Sequence, residues 1–297
     1  MPQLVPRGHR VTATTQSAEK VERLRALGAE VAVVDGLDAL AAGEAVARAE
    51  PEAIIHQMTA LAGKPDLRRF DRWFARTNEL RTTGTANLLA AAKTAGVGRF
   101  VAQSYTGWNN ARSGGPVKTE DDPFDPAPAQ AQRQSVAAIR QLEHAVLDAP
   151  LEGIVLRYGN FYGPGASEAL VELIRKRQLP VIGGGTGVWS WIHLDDAAAA
   201  TVAALERGGR GVYNIVDDEP APVAEWLPYL ADAVGAKPPL RVPAWLGRLA
   251  AGEVAARWMT EARGSSNAKA KRELGWQLSW RSWRDGFREG LRDRPGA

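Results

Sequence analysis

Short strand-like runs alternate with helix-like runs through the first two thirds of this 297-residue chain, and no other feature constrains its fold as much. The strand candidates are residues 10–14, 30–34, 53–57, 99–103 and 153–157. They are rich in Val and Ile and almost continuously apolar, as strands covered on both faces must be. Helical patterns fill residues 18–27, 37–49, 67–95 and 132–147. Gly28, Gly96 and Gly98 stand where those helices have to stop, a frequent C-terminal signal. Such alternation requires right-handed crossovers and predicts an α/β fold, a doubly wound parallel sheet.

After Arg157 the rhythm changes. A loop with Gly159, Gly163, Pro164 and Gly165 leads to a helix at 167–176, a Gly183-Gly184-Gly185 turn and a last strand at 212–215. The tail is helical and holds Trp226, Trp245, Trp258, Trp276, Trp280 and Trp283. This pattern predicts a smaller C-terminal substrate lobe over the C-terminal edge of the sheet, where open α/β sheets bind ligands. The expected division gives residues 1–157 and 187–216 to the sheet domain, and 158–186 and 217–297 to the lobe.

Composition narrows the function classes. Cysteine is absent, which removes disulfides, thiol catalysis and thiolate zinc sites together. His9 and His144 have no partner at ligand spacing, so no metal site is expected. The net charge is +3, but the densest basic stretch, residues 281–294, interleaves Asp285, Glu289 and Asp293. That is the pattern of a solvated helix, and no nucleic-acid partner is expected. No apolar run approaches the roughly 18 residues of a membrane span, and no signal segment is visible, so a cytoplasmic protein is expected.

Six segments, in order, carry a family resemblance. Ala53-Ile54-Ile55-His56-Gln57 is similar to a strand ending V-I-H. Asn78, then Gly84-Thr85-Ala86-Asn87-Leu88-Leu89, resembles an N-x-x-G-T-x-N-L-L helix. Arg99-Phe100-Val101 with Ser104 matches the next strand, and Arg157-Tyr158-Gly159-Asn160-Phe161-Tyr162-Gly163-Pro164-Gly165 resembles R-x-x-N-x-Y-G-P-G. Trp191-Ile192-His193-Leu194-Asp195-Asp196 and Lys271-Arg272-Glu273-Leu274-Gly275-Trp276 complete the set. Together they resemble the extended short-chain dehydrogenase/reductase family of NAD-dependent epimerases and dehydratases. The resemblance implies an NAD(P)-binding Rossmann fold and hydride transfer between a nicotinamide and a sugar nucleotide or a small hydroxyl or carbonyl substrate. It also implies a homodimer through the two long helices at 67–95 and 132–147.

Two departures bear on that expectation. The residues around Leu4 to Thr14 read as a helix end, the Gly8 stop and then the second strand. The family's first strand and Gly-rich phosphate loop would precede them, and no G-x-x-G-x-x-G occurs anywhere in the chain. The expectation is that translation starts upstream of Met1, the alternative being a truncated gene product. A missing central strand would leave ladder groups unpaired on both neighbours. The second departure is the family's Tyr acid, whose pKa a Lys four residues later lowers. No Tyr here has Lys at that spacing; counting back from Glu143, Ser135 and Ile139 occupy the two places.

Substitutes for the acid are Tyr105, Thr106 and Ser135, with Arg133 or Arg140 as cation. Tyr105 packed with Trp108 as a pocket wall is the competing reading. The resemblance implies that Thr15, Asp35, His56, Gln57, Asn78, Ser104, Tyr158 and Asn160 contact NAD or NADP. No acid closes the second strand at Thr14-Thr15-Gln16, which tilts towards NADP, with Lys20 a phosphate partner. Asp38 is expected to cap the following helix, His56 to be largely structural, and Asp195 to cap the Ala-rich helix behind it. Tyr105 to Asn110, Trp189 and Trp191 are expected near the substrate. The alternative to an enzyme is a non-catalytic dinucleotide sensor or scaffold.

Overall fold

The computed structural model describes residues 1–61 and 65–292. Six parallel strands form the sheet layer: β1 Thr12–Thr15, β2 Glu30–Val33, β3 Ala53–His56, β4 Arg99–Tyr105, β5 Glu152–Tyr158 and β6 Gly211–Ile215. Five helices cover it: α1 Val21–Ala26, α2 Ala39–Ala49, α3 Thr85–Thr94, α4 Arg133–Asp148 and α5 Leu194–Arg207. The expected α/β fold is present, each strand within about two residues of its reading.

Side-chain alternation divides β4 and β5 between two apolar cores. Phe100, Ala102 and Val155 face α3 and α4, meeting Ala92, Leu142 and Val146. Val101, Ile154 and Leu156 face α5, meeting Ala200, Ala203 and Ala204, with Trp276 from the tail. Because both faces are covered, these strands carry no polar face. Gly153 permits the close approach of α4: a Cβ there would lie 2.0 Å from the Val146 carbonyl oxygen.

The sheet is parted. β3, β4, β5 and β6 form one ladder in the spatial order β6-β5-β4-β3, while β1 and β2 pair only with each other. Among the described residues no ladder joins β1 to β3. Ahead of β1, a single 3-10 turn, Val5–Arg7, ends at Gly8 with φ of 86°. Gln3 donates from Nε2 to the Asp195 carbonyl at 3.0 Å, tying this segment to α5.

Local caps explain several boundaries. Asp38 accepts from the Leu40 and Ala41 amides and starts α2, as expected. The expectation for Asp195 is corrected: His193 caps α5, its Nδ1 accepting from the Asp195 amide at 3.1 Å. Asp196 holds the tail instead, accepting from the Ser279 and Trp280 amides at 2.8 and 2.9 Å. The long helix expected over 67–95 is also corrected. It breaks into a 3-10 turn, the short helices Phe70–Trp73 and Ala75–Glu79, a π-turn at Leu80–Gly84 and α3.

Beyond the sheet's C-terminal edge, short ladders pair Asn160–Tyr162 with Trp191–His193, Val188–Trp189 with Ala221–Pro222, and Val117–Lys118 with Gly264–Ser265. A third core forms there around Tyr162, Ile182, Trp191, Trp226, Trp283 and Phe287. Trp191 belongs to this core, which corrects its expected place beside the substrate. The basic tail forms the helix Trp283–Glu289; Asp293 and Arg294 lie outside the described residues.

Candidate active site

β4 and β5 end side by side at Tyr105 and Tyr158. The Tyr105 hydroxyl donates to Asn160 Oδ1 at 3.0 Å, and Asn160 Nδ2 donates to the Ser190 carbonyl at 3.1 Å. Gly107 follows with φ of 139°, and a Cβ there would meet the Tyr105 hydroxyl at 3.0 Å. The chain can therefore turn back so that Trp108 stacks on Tyr105, centroids 5.1 Å apart and planes 26° apart. Trp108 stacks in turn on Trp258 at 5.9 Å and 13°, and Trp189 meets Trp258 edge-on at 6.2 Å. Tyr105, Trp108, Asn160, Trp189 and Trp258 line a narrow cleft open to solvent, with room for about one water molecule between the rings as they are packed. Flat rings on several sides suit a planar, apolar ligand.

The Tyr105 phenol is held protonated. Burial pushes its pKa well above the ordinary phenol value, while the Asn160 hydrogen bond and the charge of Arg81 pull weakly the other way. Tyr158 lies deeper: its hydroxyl meets Thr201 Oγ1 at 2.6 Å and accepts from Gln57 Nε2 at 3.2 Å. Burial drives its pKa up to about 12.

The other hydroxyls placed at the site by sequence are occupied. Ser104 donates to Glu143 Oε1 at 2.6 Å. Arg157 grips the same carboxylate with Nε at 2.9 Å and Nη2 at 2.7 Å, a buried two-pronged pair that pins α4 to β4 and β5. Thr106 meets Ser265 Oγ at 2.6 Å and Asn110 Oδ1 at 3.2 Å within a buried knot. Ser135 is fully buried in the first turn of α4; its hydroxyl donates to Asp71 Oδ1 at 2.7 Å and accepts from Asn78 at 3.0 Å. Asp71 also accepts the Ser135 and Gln134 amides, so it caps α4 where the helix dipole favours an anion. Neither Thr106 nor Ser135 has a hydroxyl facing the cleft's lining residues.

His56 is neutral at ordinary pH. Burial lowers its pKa to about 4. The Met58 amide donates to Nδ1, which leaves Nε2 to donate to Thr85 Oγ1 at 3.0 Å. Thr15 and Asp35 lie apart from this cluster, at the ends of β1 and β2. Thr15 Oγ1 accepts the Ser17 amide; Asp35 accepts from Gln16 at 2.6 Å and Arg76 at 2.7 Å. The Leu37 amide and the Arg76 charge keep the Asp35 carboxyl below its ordinary range.

The cation near Tyr105 is Arg81, which the sequence reading missed. Arg140 instead turns to the Asp125 carbonyl and the Phe124 ring. Arg81 is 7% exposed, and burial lowers its pKa to about 10 against the influence of Glu143 and Tyr105. Its guanidinium sits over Phe74, and Nη1 has no hydrogen-bond partner. The signal was available: counting three residues back from Gly84, as N-x-x-G-T requires, arrives at Arg81 rather than Asn78. Asn78 Oδ1 is likewise buried without a partner. Asn78 and Arg81, three residues apart on successive helical turns, thus leave one buried acceptor and one buried donor unpaired.

Comparison with known proteins bears on the fold and the family. The family model for the NAD dependent epimerase/dehydratase family matches residues 1–216. A 3-diazoavenalumate denitrifying reductase from a Streptomyces species is 42% identical over 288 residues, 95% of this chain and 92% of the relative. The Bordetella bronchiseptica enzyme WbmG in complex with NAD superposes with a TM-score of 0.74 at 21% identity, covering 97% of this chain and 87% of that one. A human epimerase family protein with NADPH superposes at 0.73 and 21% identity, covering 97% and 93%.

Proposed function

The chain belongs to the NAD-dependent epimerase/dehydratase family and is an oxidoreductase of that family, and on that premise we propose that it reduces an aromatic diazonium group with release of dinitrogen. The observation that carries this reading is an aromatic-walled cleft whose one described phenol, Tyr105, has no Lys four residues on and is hydrogen-bonded to Asn160. Tyr105 holds its proton in a hydrogen bond to Asn160, and the Ser135 hydroxyl donates to Asp71.

Carbonyl reduction needs both a hydride and a proton for the nascent alkoxide, and a general acid contributes about 10²–10⁴-fold. A diazonium is already cationic. Hydride at its terminal nitrogen gives the neutral diazene, Ar–N=N–H. Loss of dinitrogen from the diazene, its hydrogen passing to the ring carbon, leaves Ar–H. Atoms and charge balance with no external proton. The similarity to the 3-diazoavenalumate denitrifying reductase supports this class of substrate, and it favours an oxidoreductase over a sensor or scaffold.

A bound reduced nicotinamide supplies the hydride. Asn78, Arg81 and Gln57 would hold its ribose end, and the two unpaired atoms on Asn78 and Arg81 fit that role. Thr15 and Asp35 would serve the adenosine end. Tyr105, Trp108 and Trp258 orient the aryl ring and keep water from it, while Asn160 fixes the Tyr105 plane. The same reading places the protein in the cytoplasm, where reduced nicotinamide is available; no helix among the described residues is long and apolar enough to cross a membrane. It includes a homodimer through the two helical stretches at 67–95 and 132–147, with light scattering as its check and a monomer mass as the contrary result.

The test is direct. Purified protein with NADPH or NADH and a benzenediazonium salt is expected to oxidise the nicotinamide in step with dinitrogen release. Oxidation with acetophenone but none with the diazonium would overturn the reading.

A further inference from the structure

The helix Ala244–Ala251 turns its large apolar side chains outwards. At about 100° per residue, Ala244, Gly247 and Ala251 fall on one side and Trp245, Leu246, Arg248 and Leu249 on the other. Gly247 is buried, and a Cβ there would come within 2.4 Å of the Ile182 side chain. On the opposite side Trp245 is 69% and Leu249 70% exposed, with Leu246 beside them and Leu240 just ahead of the helix also exposed. A surface helix ordinarily buries its apolar stripe and shows polar residues to water; this one does the reverse. The charge around the stripe has one sign. Residues 237–252 hold Lys237, Arg241 and Arg248, all exposed, and no Asp or Glu. Arg68 adds a cation at the end of the helix, its Nη2 donating to the Leu249 and Ala250 carbonyls. The acid that follows, Glu253, is paired with Arg257 at 2.6 Å.

Side chains exposed to this degree stand clear of the fold and shape no groove for a particular protein to fill. A bilayer needs none. Trp settles among lipid headgroups, Leu enters the acyl boundary, and Arg and Lys beside them meet anionic phosphates. A second copy of the chain fits less well, because a two-fold contact through this stripe would bring cations of like sign together. We propose that residues 240–249 form a docking surface for an anionic lipid bilayer, Trp245 and Leu249 entering it while Arg241 and Arg248 meet lipid phosphate. The attachment is peripheral and reversible: one short helix lies in the interface, and its electrostatic share weakens as salt screens the charges.

The experiment is co-sedimentation of the full chain with vesicles, either phosphatidylcholine alone or phosphatidylcholine and phosphatidylserine in equal parts. Binding to the anionic vesicles is expected to be about tenfold or more tighter than to the neutral ones, and to fall as salt rises. Trp245→Ser and Leu249→Ser are each expected to weaken it by about tenfold or more, and Arg248→Glu by a similar factor. Trp245 and Leu249 are exposed, so both variants should keep the wild-type circular dichroism spectrum. No binding to the anionic vesicles, equal binding to both kinds, or wild-type binding by all three variants would overturn the proposal. Light scattering separates the other occupant: a dimer mass that Trp245→Ser reduces to a monomer would give this face to a second copy and overturn the proposal as well.

Discussion

The two parts of the parallel sheet end in opposite circumstances. In β4 and β5, Phe100, Val101, Ala102, Ile154, Val155 and Leu156 are completely enclosed. In β1 and β2 no residue is buried, although Val31 and Val33 are as apolar as their counterparts. A parallel strand is buried by its neighbours on both faces and both edges, and β1 lacks a ladder on the side towards β3. The chemistry follows the same division. Tyr105, Ser104 and Tyr158 are carried by the enclosed strands and Asn160 by the short strand that follows β5, whereas Thr15 and Asp35 hang from the exposed pair.

The largest effect should come from the enclosed part. Glu143→Ala strips Arg157 of its buried partner, and leaving one charge of such a pair costs about 3–5 kcal/mol. Urea unfolding measures it; a loss below about 1 kcal/mol would show that water reaches the pair, at odds with a sealed β4–β5 layer.

Next comes pH. The folded pKa of His56, about 4, lies below an unfolded value of about 6.5. Its contribution is complete above the unfolded value and is lost as pH falls towards the folded one. Stability should therefore drop by up to about 1.4 kcal/mol per pH unit between those limits. Urea midpoints across that window, compared with His56→Gln, isolate the term. An equal slope in the variant would assign it elsewhere.

The smallest of these effects belongs to the exposed part. Asp38→Ala removes the α2 cap and should cost about 1 kcal/mol. If it costs as much as Glu143→Ala, β1 and β2 are no less integral to the fold than β4 and β5, and the contrast drawn above fails.

What could be read from sequence follows the same physics. Strands 99–103 and 153–157 were legible because enclosure on two faces demands unbroken apolar residues, and Asp38 because a cap acts on amides two and three residues away. The break at Leu80–Gly84 was not legible, since apolar spacing looks alike in a straight helix and in one with a π-turn. Trp189 and Trp191 are two residues apart, yet Trp189 lines the cleft and Trp191 fills a core. Their roles differ through the ladders around them, which no local pattern encodes. Arg81 lay within reach of motif spacing, but its burial beside Phe74 arises only when the π-turn packs against α4.

The central claim is a hydride transfer that needs no protein acid, and one measurement bears on it most directly. It is the single-turnover rate of NADPH oxidation by an arenediazonium in the wild type and in Tyr105→Phe, which keeps the ring and deletes the only cleft phenol among the described lining residues. The predicted result is a rate within about twofold of wild type. A fall of about 10²-fold or more, the loss of a general acid, would contradict it.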